Sequence, residues 1–201
     1  MMMGLFDEIE EVSNVRIEAK AEKRKIKQTI KFSARNENLH NILKNVGGLP
    51  ANDEMVNFVS DGTSDTGGFF SEILREFGNI DEMFLSTWTI SRENVLRILE
   101  AYDQGRIGKF EFLINNGLLK TNSTKAIWGL ICDEFTKRGI KYRAVNSHAK
   151  IFCVKCGDRF ITVSGSGNWS ENPRIENYFI IGGEETFSFN KKWMQELIIS
   201  Q

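Results

Sequence analysis

The feature that most constrains the fold is a regular alternation of strand patterns and helix patterns along the middle of the chain. Short runs rich in apolar, aromatic and β-branched residues predict strands near residues 55–59, 83–90, 110–114 and 140–145. Between them, apolar residues recur at the spacing of an amphipathic helix. Such alternation is typical of a largely parallel sheet that is covered by helices.

The predicted helices begin and end at residues suited to those positions. Ser91 is a predicted N-cap for the second helix, and Asn122 or Ser123 for the third. Gly78 and Gly139 follow the first and third helical patterns, where glycine readily adopts the left-handed conformation that ends a helix. The sequence therefore predicts three strand–helix units in succession.

The pattern changes after residue 146. Two apolar runs, at residues 151–154 and 160–163, flank a short polar segment and predict a β-hairpin. A further strand is predicted at residues 178–181, and a closing helix is predicted after residue 184. The chain therefore ends with antiparallel elements rather than with another strand–helix unit.

A glycine- and proline-containing loop at residues 47–53 is the predicted boundary of the domain. We expect residues 1–50 to form an N-terminal extension and residues 51–201 to form one domain. Hydrophobic residues make up 41% and charged residues 26% of the chain, as is usual for globular proteins. Since no apolar run is long enough for a membrane span and the first residues do not resemble a signal peptide, we expect a cytoplasmic protein.

The predicted extension is strongly asymmetric in charge. Residues 1–15 contain four acidic residues and no basic residue, whereas the next twenty contain eight basic residues and two acidic residues. Basic residues that neutralise the phosphates of a nucleic acid release counterions and gain affinity. The candidates for this contact are Lys23, Arg24, Lys25 and Lys27. The alternative is a solvated basic face or a contact with the acidic segment.

The clearest chemical pattern lies at the two ends of the predicted hairpin. His148 and Lys150 precede its first strand, and the run Gly165-Ser166-Gly167-Asn168 follows its second strand. Because the strands of a hairpin are antiparallel, its two ends lie side by side. These elements resemble the signature of the phospholipase D superfamily, which combines His-x-Lys, a nearby Asp and Gly-Ser-x-Asn.

The resemblance implies a phospholipase D-like α/β fold, with a mixed, mainly parallel sheet that is flanked by helices on both faces. It also implies a phosphodiesterase that needs no metal or other cofactor. His148 would attack phosphorus and form a phosphohistidine, which water then hydrolyses. Lys150, Ser166 and Asn168 would stabilise the phosphoryl oxygens, and the downstream Glu176 would hold the imidazole.

The Asp of the family signature is displaced in this chain. It usually lies five residues after the Lys, but that position is occupied by Lys155. Asp158 lies three residues later and seven residues before Gly165, which matches the family distance to the second element. A longer hairpin turn would explain the shift, so Asp158 is the candidate for this role, which is usually structural.

Covalent cleavage also needs a group that protonates the leaving oxygen. The chain has two histidines, and His40 lacks the Lys of the motif. Family members with a single motif, such as the small bacterial nucleases, build one site across a two-fold axis. We therefore expect a homodimer with a composite active site and nucleic acid, either DNA or RNA, as the substrate.

Two other functions remain open. A phospholipid-cleaving enzyme is expected to have an amphipathic membrane-facing segment, but residues 1–12 are too acidic for that role. A non-enzymatic assembly or partner-binding protein that retains the fold is favoured by the displaced Asp and the extension. The intact His148, Lys150, Ser166 and Asn168 favour an enzyme instead.

Two further residue pairs have both a functional and a structural interpretation. Cys153 and Cys156 resemble half of a zinc site, but the sequence has no second pair, and hairpin strands account for both positions. Trp88 and Phe84 are predicted core residues. The alternative for them is contact with a substrate, because both lie in or near the carboxyl end of a strand.

Overall fold

The computed structural model describes residues 25–32, 39–45, 47–60, 65–117, 122–170 and 174–199. Its strands are β1 (Lys25–Phe32), β2 (Glu54–Ser60), β3 (Ile80–Thr87), β4 (Ile107–Asn115), β5 (Lys141–Val145), β6 (Ile151–Cys156), β7 (Arg159–Gly165) and β8 (Glu176–Gly182). Its helices are α1 (Leu39–Asn45), α2 (Thr66–Phe77), α3 (Arg92–Asp103), α4 (Asn122–Lys137) and α5 (Glu184–Ile199).

All eight strands form one mixed sheet in the order β1-β2-β8-β7-β6-β3-β4-β5. β3, β4 and β5 are mutually parallel, and β1 is parallel to β2. Only β6 and β8 run in the opposite direction, so six of the eight strands share one direction. The predicted mixed sheet is confirmed. Since β6 and β8 lie between strands of the other direction, four of the seven neighbouring pairs are antiparallel.

Helices cover both faces of the sheet, as predicted. Successive residues of a strand point to opposite faces, and β3 shows this directly. Met83 and Leu85 lie in the core that contains Phe70 of α2, together with residues of α3 and α4. Phe84, between them, packs in a separate cluster with Phe187 of α5. The helices α2, α3 and α4 therefore cover one face, and α5 covers the other.

The helix ends follow local chemical signals. Ser91 caps α3 by accepting a hydrogen bond from the amide of Asn94 at 3.2 Å, which confirms that prediction. Gly78 ends α2 with a positive φ of 77°, and its amide donates to the Leu74 carbonyl. Asp65 caps the other end of α2 and accepts from the Gly68 amide at 3.1 Å.

Part of the predicted N-terminal extension packs on the domain. β1 is an edge strand that pairs with β2, and Leu39 and Leu43 of α1 are buried in the core shared with α2. The hydrophobic pattern of the sequence predicts neither element. Residues 1–24 and 33–38, which make up most of the extension, lie outside the described residues. In the part of the chain that the structure describes, every helix is too short or too polar to cross a bilayer.

The anchoring of α5 can be tested with two phenylalanines of opposite exposure. Phe187 is 2% exposed, and its ring centroid lies 5.8 Å from that of Phe84 and 5.4 Å from that of Phe160. We expect Phe187→Ala to lower the free energy of unfolding by about 3–5 kcal/mol, because it leaves a cavity in a packed core. Phe189 is 69% exposed, so Phe189→Ala is expected to change it by less than about 0.5 kcal/mol.

Urea denaturation followed by circular dichroism measures both values. Equal losses in the two variants would show that α5 is not anchored to the sheet through Phe187.

Candidate active site

One edge of the sheet brings most of the predicted catalytic residues together. β2, β3, β4, β5 and β7 end at this edge, while β6 and β8 begin there. His148 and Lys150 precede β6, Ser166 and Asn168 follow β7, and Glu176 is the first residue of β8. The pairing of β7 with both β6 and β8 therefore places these three chain segments side by side.

His148 is exposed and lies between a lysine and a tryptophan. The Nζ atom of Lys150 is 3.3 Å from Nδ1 of His148 and 3.4 Å from its Nε2. The indole of Trp88 also contacts the imidazole, with the ring centroids 4.8 Å apart. The imidazole is thus positioned by neighbours and remains open to solvent.

Lys150 is partly buried and lies near a carboxylate of opposite charge. Partial burial lowers its pKa, and the nearby carboxylate of Glu176 acts in the other direction. Burial removes part of the hydration shell of the ammonium group. A partly desolvated cation interacts more strongly with negative charge than a solvated one, which suits the binding of phosphoryl oxygens.

Ser166 and Glu176 connect the loop after β7 to the start of β8. The Ser166 hydroxyl donates a hydrogen bond to Oε2 of the buried Glu176 and accepts one from the amide of Asn177 at 3.0 Å. The Ser166 amide donates to the Asn177 carbonyl, also at 3.0 Å. These bonds hold Ser166 at the edge of the sheet. The predicted contact of Glu176 with the imidazole stays a prediction.

The first residue of α2, Thr66, is hydrogen-bonded to the same loop. Oγ1 of Thr66 donates to the carbonyl of Gly167 at 2.9 Å, and the Thr66 amide donates to the carbonyl of Asn168 at 3.0 Å. A Cβ atom at Gly167 would lie 2.0 Å from the hydroxyl oxygen of the buried Tyr178. Only glycine fits there, so the third residue of the Gly-Ser-Gly-Asn run has a steric role.

A buried asparagine joins α2, α3 and the loop that follows Asn168. Nδ2 of Asn94 donates to Oδ2 of Asp65 at 2.6 Å and to the carbonyl of Trp169 at 2.9 Å. The Ser91 amide donates to the same carbonyl at 2.8 Å. Sequence reasoning missed Asp65 and Asn94. Polar residues at helix starts usually serve as caps, and nothing local shows that these two also support the site.

Trp88 does not lie in the core, where the sequence predicts it. Phe84 is buried, as predicted, but Trp88 is 38% exposed and contacts His148. It directly follows the last residue of β3, at the edge where the motif residues lie. That position was the available signal, because side chains just beyond the carboxyl end of a strand leave the core.

Asp158 lies at the opposite end of the hairpin from His148. It belongs to the turn between β6 and β7. Six paired positions separate that turn from the edge of the sheet where His148 lies. At about 3.3 Å per residue the separation is roughly 20 Å. Its carbonyl accepts a hydrogen bond from Asn52 at 3.0 Å. Asp158 is therefore not part of the cluster, which corrects its inclusion among the catalytic candidates.

Two of the four basic candidates for nucleic-acid binding lie within the described residues. The backbone of β1 carries Lys25 and Lys27 where β1 and β2 begin, at the end of the sheet opposite His148. Lys23 and Arg24 lie outside the described residues. Their contact with nucleic acid stays a prediction.

The remaining candidates from the sequence occupy ordinary structural positions. Cys153 and Cys156 are buried in the two separate clusters on opposite faces of the sheet, so they cannot bind one metal ion together. Burial raises the pKa of Cys156 to about 12. Nδ1 of His40 lies 3.2 Å from Oε2 of Glu72 on α2, which gives this histidine a local partner.

Comparison with solved structures identifies the fold. Nuc, a phospholipase D family member from Salmonella typhimurium, is 14% identical to this chain. The match covers 71% of this chain and 91% of Nuc with a TM-score of 0.51. The chain has the phospholipase D fold. The resemblance seen in the motif is thus confirmed for the architecture.

Two further solved structures match with lower TM-scores. NucT from Helicobacter pylori is 15% identical, with 71% of this chain and 95% of NucT covered and a TM-score of 0.45. Phosphatidylserine synthase from Haemophilus influenzae is 12% identical, with 73% and 38% covered and a TM-score of 0.47. No protein-family model matches the sequence, and the comparison with curated proteins gives no significant match.

The support of the motif loop can be tested at Asn94. We expect Asn94→Ala to lower the free energy of unfolding by about 1–3 kcal/mol, because the buried side of the Asp65 carboxylate loses its hydrogen-bond donor. The control is Glu93→Ala on the same turn, where the side chain is 79% exposed, with an expected change below about 0.5 kcal/mol. Urea titration monitored by far-ultraviolet circular dichroism compares the variants, and coincident transitions would contradict the assigned role.

Proposed function

We propose that this protein is a phosphodiesterase that cleaves nucleic acid through a phosphohistidine intermediate. The main support is the exposed imidazole of His148 within 3.4 Å of the Lys150 ammonium group. Ser166 and Asn168 lie at the same edge of a phospholipase D fold. Few other reactions need a nucleophilic nitrogen, a cation and neutral donors at one open surface site.

In the proposed first step, a ring nitrogen of His148 attacks phosphorus, and the bond from phosphorus to the leaving oxygen breaks. Lys150 interacts with the negative charge of the non-bridging oxygens, which grows more concentrated as the leaving group departs. Ser166 and Asn168 are polar groups at the same edge and complete the set of contacts with phosphate. Water then attacks the phosphohistidine and releases the second product.

The proposed role of Glu176 follows from its burial between two of these groups. It accepts the hydrogen bond of Ser166 and lies close enough to Lys150 to affect its pKa. A carboxylate in this position orients the cation and the hydroxyl, and we propose that it also accepts the remaining N–H of the imidazole. Glu176 is thus proposed as the residue that aligns the site.

The leaving oxygen needs a proton donor, which we propose comes from a second copy of the chain. His40 is bound to Glu72 on α2 and is not part of the cluster. In a two-fold homodimer the same surface meets itself, so the His148 side chains of both protomers reach one phosphate. One attacks phosphorus while its mate protonates the leaving group. The exposure of His148 leaves room for this approach.

The proposed chemistry predicts the effect of two substitutions. His148→Ala removes the nucleophile, so hydrolysis of DNA, RNA and a small phosphodiester is expected to fall below detection. Lys150→Ala is expected to lower kcat by about 100- to 1000-fold, as the loss of one transition-state contact does. Asp158→Ala, at the far end of the hairpin, is the control and is expected to retain activity. A fluorogenic assay in excess chelator measures all three.

Retained hydrolysis in pure His148→Ala protein would remove the central claim. Loss of all activity on addition of the chelator would indicate a metal-dependent nuclease instead. Loss of activity in Asp158→Ala with an unchanged fold would show that this residue is needed for catalysis.

The composite site predicts the assembly state of the active protein. Light scattering is expected to give twice the mass of the chain at the concentration of the assay, with activity per protomer falling on dilution below the dissociation constant. Chemical cross-linking between protomers through a cysteine introduced at Asn146, next to the motif, is expected to be efficient. A monomer with full activity would contradict the shared site.

A further inference from the structure

Trp88 differs from the other described tryptophans in its position and exposure. Its side chain is 38% exposed, whereas Trp169 is buried at 1% and Trp128 and Trp193 are partly covered by the core. Its indole lies against the imidazole of His148, with ring centroids 4.8 Å apart at an interplanar angle of 59°. A large apolar ring is therefore open to solvent directly beside the proposed nucleophile.

The backbone that carries Trp88 is held on both sides. Oγ1 of Thr87 donates to the carbonyl of Thr89 at 2.9 Å, and the Trp169 amide donates to the same carbonyl at 3.2 Å. The hydroxyls of Thr89 and Ser170 are 2.7 Å apart. Thus the segment that carries Trp88 is bonded to the segment that follows the Gly-Ser-Gly-Asn run. These bonds keep the indole beside His148.

The segment just after β4 borders the indole. Gly117 follows β4, and a Cβ atom there would lie 3.8 Å from Cζ2 of Trp88. The Gly117 amide donates to Oδ1 of Asn115 at 2.6 Å, and Nδ2 of Asn115 donates to the carbonyl of Ser147 at 2.6 Å. The same asparagine therefore holds both the border of the indole and the residue before His148.

We propose that the exposed part of Trp88 stacks on an unpaired nucleobase next to the scissile phosphate, so that the substrate is single-stranded nucleic acid. This inference rests on the proposed function. An aromatic ring binds any base through its π-face, with little dependence on sequence. In a duplex the faces of each base are covered by its neighbours. Only an unpaired base offers a free face to an indole that lies beside the phosphate site.

The arrangement fits a base better than a choline-type lipid headgroup. A quaternary ammonium group is bound best by a cage of several aromatic rings. Among the described residues the exposed aromatic side chains are Trp88 and Phe189, and Phe189 lies on α5. One ring beside the nucleophile is a stacking platform rather than a cage. Among the described residues at the same edge, the other large exposed apolar residue is Ile175.

The test compares two substrates with the same phosphodiester backbone. One is a single-stranded thymidine oligonucleotide, and the other is an abasic chain of equal length. We expect the wild-type protein to prefer the thymidine oligonucleotide in kcat/KM, and Trp88→Ala to lose about 10- to 100-fold on that substrate alone, mainly through KM. Trp88→Phe keeps a stacking ring and is expected to retain most of the preference. Phe189→Ala is the matched control and is expected to resemble the wild type.

Equal losses of Trp88→Ala on both substrates would overturn the proposal, because Trp88 would then act only on the imidazole. An unchanged preference in Trp88→Ala would overturn it as well. Cleavage of a thymidine–adenosine duplex as fast as of the single strand would exclude an unpaired base as the ligand. Faster cleavage of phosphatidylcholine vesicles than of the oligonucleotide would assign the indole to a lipid.

A binding measurement separates this inference from the proposed function. Fluorescence anisotropy of labelled thymidine oligonucleotide and of the abasic chain is measured with His148→Gln protein, with and without Trp88→Ala. Tenfold weaker binding of the thymidine oligonucleotide alone supports stacking even if the wild-type protein cleaves neither substrate, an outcome that would refute the proposed function. Identical affinities in the presence and absence of the indole would refute the stacking role even in an active nuclease.

Discussion

The candidate site depends on the antiparallel pairing of β7 with both β6 and β8. This pairing makes the chain leave and re-enter the same edge of the sheet, so three separate segments end side by side. A shift of one residue in either ladder would move every side chain of the strand to the opposite face. Val163 packs in the core of α2, α3 and α4, and Thr162 points to the opposite face. Such a shift would therefore be costly, because it would remove Val163 from that core. The positions of His148, Ser166 and Glu176 follow from this register.

Close backbone approach then sets the shape of the loop after β7. A Cβ atom at Gly165 would lie 2.1 Å from the carbonyl oxygen of Asn177, and one at Gly167 would meet the Tyr178 hydroxyl. The two glycines allow the loop to lie flat against β8, where Thr66 binds its carbonyls. Packing and hydrogen bonding thus fix the backbone of the loop, and the Ser166 hydroxyl is bonded to Glu176 and to the Asn177 amide.

Two groups of opposite charge lie near His148. Lys150 is the cation beside the imidazole, and Glu176 is the buried carboxylate that balances it. A buried carboxylate without a partner would be costly, but the Ser166 hydroxyl binds it. The exposed indole of Trp88 adds an apolar contact beside the charged groups.

The sequence alone determined the order of strands and helices from residue 55 onward and the pairing of the two motif elements through a hairpin. Both depend on local periodicity and on residues close in sequence, which a pattern records directly. Only the tertiary structure decided that β1 joins the sheet and that the exposed indole of Trp88 contacts His148. It also revealed the support from Asn94. These features arise from contacts between residues far apart in the chain, and the local sequence at either partner carries no record of the other.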